Sequence, residues 1–133
     1  MDDIKFTIEL DPKTKKNSSR ICRAANGRVF VRPSKAFEDY QKQCGIFIPR
    51  INKPIDYQIN IKAIYYMKTR RKVDLSNLHA ALHDILTHYG LIADDNMKIV
   101  IATDGSRVLY DKAHPRTEVT ISRMYEITGF EEE

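Results

Sequence analysis

The chain has 133 residues, enough for about one domain, and its composition, 42% hydrophobic and 30% charged, is that of a globular protein rather than a disordered one. Twenty-two Lys and Arg stand against 18 Asp and Glu, a net charge of +4 that favours a polyanionic partner, with nucleic acid the first candidate. No stretch reaches the 18 or so apolar residues of a membrane-spanning helix, the Met1-Asp2-Asp3 start lacks the positive charge of a signal peptide, and Cys22 and Cys44 read as two reduced thiols of a cytoplasmic protein.

Residues 4–10 (IKFTIEL) predict a short strand that Asp11-Pro12 ends. From 12 to 35 there are eight Lys or Arg and no acid, opening with the loop KTKKNSSR. Asn26-Gly27 signals a turn into a second strand at 28–31. Ser34 is placed to cap a helix over 35–47, with Phe37, Tyr40, Cys44 and Phe47 on one face and Pro49 as its stop.

From 55 to 67 every odd position is apolar or aromatic, while the even ones begin Asp56, Gln58, Asn60, Lys62. That period of two predicts a long antiparallel-type strand with one buried face. It runs into the cluster Lys68-Thr69-Arg70-Arg71-Lys72. A helix over 75–89 follows, with Asp74 as N-cap, Gly90 as the residue past its end, and a stripe of Leu75, Leu78, Leu82, Ile85, Leu86 and Tyr89. Asp94-Asp95-Asn96 forms an acidic turn. Residues 98–103 and 107–110 predict a hairpin closed at Asp104-Gly105, and 117–121 a last strand. The acidic tail at 126–133 is expected to fray. With no repeat and no linker, residues 1–133 form one α+β domain with a mixed or antiparallel sheet and two main helices.

Two constellations carry chemistry. Around the second helix, Asp74, Asn77, Ala81, Asp84 and His88 share a face away from the apolar stripe, and Asp94 and Asp95 follow in the next turn. Carboxylates of this kind suit Mg²⁺ or Mn²⁺, which can polarise a phosphate and activate water. Directly before them, Arg70, Arg71 and Lys72 form a phosphate-binding patch. The loop at 13–35 adds Lys15 and Lys16, with Asn17, Ser18 and Ser19 as hydrogen-bonding groups for phosphate oxygens. His79 and His83 have the i, i+4 spacing of a zinc pair but no HExxH pattern, and read as surface histidines; His114 sits in a loop within possible reach of phosphate. No GxSxG motif or glycine-rich phosphate loop is present.

The segment KVDLSNLHAALHDILTHYGLIADDNMKIV resembles the core motif of the RusA-like Holliday junction resolvases, in which Asp-x-Asp-Asn opens a helix and an Asp-Asp turn follows it. TKKNSSRI, NGRVFVRPSKAFEDY and VLYDKAHPRTEVTI resemble the flanking parts of phage-type members, so the likeness runs from about Lys5 to Met124. It implies a RusA-like fold and a homodimer that cuts branched DNA with Mg²⁺ or Mn²⁺, in recombination or repair in a prokaryote or prophage. It makes Asp74, Asp95 and Asp94 the catalytic, metal-holding carboxylates. Two positions depart from the pattern: Ser76 replaces the second motif Asp, and Ala80 stands where some members have a Lys. Asn77 is retained. Ser76 removes a charge from the site, so the alternative is a junction-binding protein with weak cleavage or none. The long apolar face of 55–67 is a hint of a second subunit.

Overall fold

The computed structural model describes residues 3–15 and 19–125. Lys16, Asn17, Ser18 and the tail at 126–133 lie outside the described residues. Nine elements follow in order: β1 (Ile4–Ile8), β2 (Ser19–Arg23), β3 (Val29–Pro33), α1 (Lys35–Cys44), β4 (Ile59–Met67), α2 (Leu75–His88), β5 (Val100–Ala102), β6 (Arg107–Tyr110) and β7 (Arg116–Arg123). This is the expected α+β domain with two helices and a mixed sheet.

β4 is the hub of the main sheet. On one side it pairs antiparallel with β7, Ile59 opposite Arg123 through Tyr66 opposite Arg116, and β7 pairs antiparallel with β1. On its other side lie β5 and β6, both parallel to β4. The buried odd residues Ile59, Ile61, Ala63 and Tyr65 share a face with Thr117, Val119 and Ile121 across the ladder. Both helices pack on that face: Phe37, Tyr40 and Cys44 of α1 and Leu78, Leu82, Ile85 and Leu86 of α2 join the strand residues in one core. Residues at the even positions of β4, such as Lys62 and Tyr66, face away from it.

The expected hairpin at 98–110 is not one. β5 and β6 do not pair with each other but lie one after the other along β4. The reason is the crossover: a chain leaving β4 through α2 returns parallel to it. The Asp104-Gly105 turn makes a jog in this edge, with Gly105 at φ 86°. Side chains fill the rungs lost there. Asn60 accepts from the Asp104 N–H at 2.7 Å and donates to the Asp104 carbonyl at 3.3 Å, and the Ser106 hydroxyl accepts from the Ala63 N–H at 3.0 Å.

Other departures are local. β2 falls where a loop was expected, paired with β3 in a separate two-stranded ribbon. The strand at 55–67 begins at Ile59, because Ile55 bridges instead to Ile92 after α2. Helix α1 starts as expected, with Ser34 Oγ accepting from the Phe37 N–H at 3.1 Å, but ends at Cys44. A Cβ on Gly45 would lie 2.8 Å from the Tyr89 ring, whose hydroxyl donates to the Gln41 carbonyl at 2.6 Å. A bare backbone is what lets the ends of the two helices touch.

The buried arc of α2 is wider than its Leu/Ile stripe. Ala81 and His83 are buried, and His79 is half-buried, so the two histidines are not surface residues. The face of 55–67, taken as a hint of a second subunit, is closed within one chain by α1 and α2. No helix among the described residues is long and apolar enough to cross a membrane, and Cys22 and Cys44 are free thiols.

Candidate functional site

Asp74 occupies the N-cap position of α2, yet its side chain does not cap the helix. Its carboxylate instead accepts from the Asn77 side-chain amide at 3.2 Å and stays exposed. Ser76 is exposed beside it.

At the other end of α2 the chain reverses at Gly90, φ 76°. The Gly90 N–H donates to Thr87 and the Leu91 N–H to Leu86, both at 3.0 Å, which is a Schellman closure. The reversal carries the acidic turn back alongside the last turns of the helix. There Asp94 is occupied by its own loop, accepting from the Asp95 N–H at 2.7 Å and the Asn96 amide at 3.1 Å. Asn96 in turn accepts from the Lys98 N–H at 2.9 Å.

The Asp95 carboxyl is pushed above the usual carboxylate range. Partial loss of water contributes most, followed by its hydrogen bond with Asp94 and the negative charge of Asp84. Asp95 thus lies close enough to Asp84, on the C-terminal half of α2, to feel its charge. Asp84 itself holds Lys15, whose ammonium lies 2.5 Å from its carboxylate and 5.7 Å from the centre of the Phe37 ring. The structure therefore brings Asp84, Asp94, Asp95 and Lys15 together, while Asp74 and Asn77 stand at the N-terminal end of α2.

Further cations line two clefts at the segment that precedes α2. Between the 11–15 loop and the 67–73 segment lies a cleft of about 270 Å³, lined among others by Lys13, Thr14, Arg71 and Lys72. A more open cleft of about 470 Å³ on the other side of the segment includes Arg70 and Tyr110. Arg70 stacks on the Tyr110 ring at 4.1 Å, while Arg71 and Lys72 stay exposed. Asp11 ties the two walls by accepting from the Lys68 N–H at 3.1 Å. Lys15 meets Asp84, 69 residues away, in a contact with no local sequence signal. Asp84 was legible only as a member of a polar helix face. His114 pairs with Glu9 rather than standing free for phosphate.

The donors are hard oxygens and in kind fit Mg²⁺ or Mn²⁺. Among the described residues, though, no group of three or more His, Cys, Asp or Glu side chains is arranged to hold an ion. The histidines stand apart from these acids in role. Tyr65 Oη lies 2.7 Å from His79 Nδ1, and the His79 and His83 rings stack at 5.5 Å, with both Nε2 atoms buried and unpartnered. Burial lowers both, His83 to about 4, so they are neutral near pH 7.

A comparison with the curated proteins finds no match. The family model described as endodeoxyribonuclease RusA matches residues 9–122, a span that takes in the basic loop, both helices, the acidic turn and nearly all of β7. Nucleases of that family are generally divalent-metal dependent. With most of the chain covered by that match, the protein belongs to the RusA endodeoxyribonuclease family of Holliday junction resolvases, hydrolases that act on DNA.

Proposed function

We propose that this chain cuts branched DNA by hydrolysing phosphodiesters at the junction, with Asp74, Asp95 and Asp94 as its catalytic carboxylates. The observation that supports this reading best is the Lys15–Asp84 pair. It ties the basic 11–15 loop to the helix that carries Asp74 and to the turn that carries Asp95. A DNA backbone lying on Lys15, Arg70, Arg71 and Lys72, together with Lys16 and Asn17 of the same basic loop sequence, would have its phosphate charge offset by these groups. Mg²⁺ or Mn²⁺ held by Asp74, Asp95 and Asp94 would supply polarisation of the phosphate and a water of lowered pKa. Asn77 orients Asp74 through its amide, and Asp94 fixes the loop that presents Asp95.

Cleavage by a homodimer, one site per opposed strand, completes the reading, and the setting would be recombination or repair in the cytoplasm of a prokaryote or prophage host. Asp74→Asn and Asp95→Asn are each expected to abolish cutting of a synthetic four-way junction while junction binding persists. Wild-type cutting by either variant would remove that residue from the catalytic set.

The second reading is a junction binder that cuts weakly or not at all. Ser76 favours it, because a hydroxyl is a poorer ligand than a carboxylate for a hard cation. A titration of cleavage across Mg²⁺ and Mn²⁺ separates the two readings: binding without nicking at any concentration supports the binder.

A further inference from the structure

The β2–β3 ribbon pairs with no strand of the main sheet, and its register sorts its side chains into two faces. Ile21 lies opposite Val31, and Arg23 opposite Val29, so these four share one face. That face is not packed on the protein: Ile21 is 79% exposed, Val31 68% and Val29 54%. Three β-branched apolar side chains projecting together into water form a contiguous exposed patch of the kind that marks an interaction surface.

The charges around the face identify that partner's chemistry. Arg23 lies on the face itself and Arg28 just after the ribbon's Asn26-Gly27 turn, both exposed, and no Asp or Glu occurs anywhere between positions 12 and 35. A second copy of the chain in a symmetric contact would set these arginines against their own copies. A polyanion with apolar surfaces of its own satisfies both features, and nucleic-acid bases exposed by unstacking are such surfaces. The ribbon's position agrees. It emerges from the loop whose Lys15 is paired with Asp84 and ends just before α1, whose Phe37 lies under that same Lys15. Its root is therefore beside the acid group.

Resting on the nuclease reading above, we infer that the Ile21–Val29–Val31 face is a wedge that packs on bases unstacked at the branch point, with Arg23 and Arg28 on the adjoining phosphates. The wedge gives the enzyme its preference for branched over linear DNA, because continuous duplex offers it no open base faces. The hydrolytic residues then act on whichever phosphate the wedge has brought to them.

The test is the triple variant Ile21→Thr/Val29→Thr/Val31→Thr in the full chain. Threonine keeps the β-branched shape and strand preference while breaking up the apolar face. The probes are a four-way junction carrying 2-aminopurine at the branch point and a linear duplex of matching sequence. The wild type is expected to raise 2-aminopurine fluorescence on binding. The variant is expected to lose that rise and about fivefold or more of its junction-over-duplex preference, with duplex affinity unchanged. A wild-type preference that survives all three substitutions overturns the wedge alone. A wild type with no preference for the junction overturns the nuclease reading and the wedge with it. Sedimentation of both proteins covers the remaining occupant: a dimer that dissociates only in the variant assigns the face to a second copy, and overturns the wedge.

Discussion

Lys15 and Asp84 meet at 2.5 Å across 69 residues of sequence, yet both side chains remain more than two-fifths exposed. A pair in that setting contributes under about 1 kcal/mol to folding. Its value lies in position, since it holds a cation against the helix face next to Asp95. Asp84→Asn should therefore leave the unfolding midpoint in urea nearly unchanged and lower junction cleavage at saturating DNA. A large loss of stability would mark the pair as structural instead. The buried histidines give the opposite case, in which stability responds and chemistry does not. His83 has its pKa lowered to about 4, so between pH 6.5 and 4 the unfolded chain binds the proton more readily than the folded one. Stability is fully present above pH 6.5 and falls as pH drops toward 4, by something on the order of 3 kcal/mol for His83, and His79 is shifted in the same direction. Urea unfolding of the wild type and of His83→Leu at pH 7 and pH 5 checks this, because the variant should lose less stability on acidification.

Among the elements, Gly45 and Gly90 do different work. Gly90 sits at φ 76° with open space around it, so Gly90→Ala pays only for the left-handed backbone, about 1–2 kcal/mol. Gly45 has ordinary helical angles, but any Cβ there meets the Tyr89 ring at 2.8 Å. Gly45→Ala should cost about 1–3 kcal/mol by displacing that ring from the Gln41 carbonyl, and Gly45→Ala combined with Tyr89→Leu should cost less than the sum, in thermal or urea unfolding. This contrast also separates what could be read from the chain from what could not. The alternation of β4 and β7, the Ser34 cap and the α2 stripe from Leu78 to Leu86 are local patterns, and each appears where its period places it, whereas Leu75 at the helix start is exposed rather than part of the core. Gly45 carries no pattern, because its reason lies in a residue 44 positions on. The Asp104-Gly105 signal was real as a turn and misleading as a hairpin: a turn residue records local backbone, while α2 decides which strand lies alongside. His79 and His83 were misplaced because the apolar stripe marks the centre of the buried arc and not its width. In the site, the acidic turn and basic clusters were legible as composition. The proximity of Asp95 to Asp84 depends on the Gly90 reversal, which only the folded chain reveals.

For the whole molecule, the modest net charge of +4 conceals a division of labour. Cations occupy the 11–15 loop, the ribbon and the 68–72 segment, and the acids of the proposed site lie on α2 and the following turn. DNA affinity should accordingly fall steeply with salt, and each phosphate contact removed should flatten the dependence. Arg71→Ala is expected to reduce the slope of log affinity against log salt by about 1, on junction and duplex alike. An unchanged slope would take Arg71 off the DNA path.

The sheet order has a consequence for how the enzyme comes into being. β1, the first strand, has β7, the last, as its partner in the main sheet, and β7 is also the antiparallel neighbour of β4. While the chain is being synthesised, β1 and the Lys15 loop behind it have no ladder to join until residues 116–123 have emerged. The cation at Asp84 is thus among the last parts of the site to be set in place. The contact between the Lys15 loop and α2 is in this way tied to completion of the sheet by its last strand.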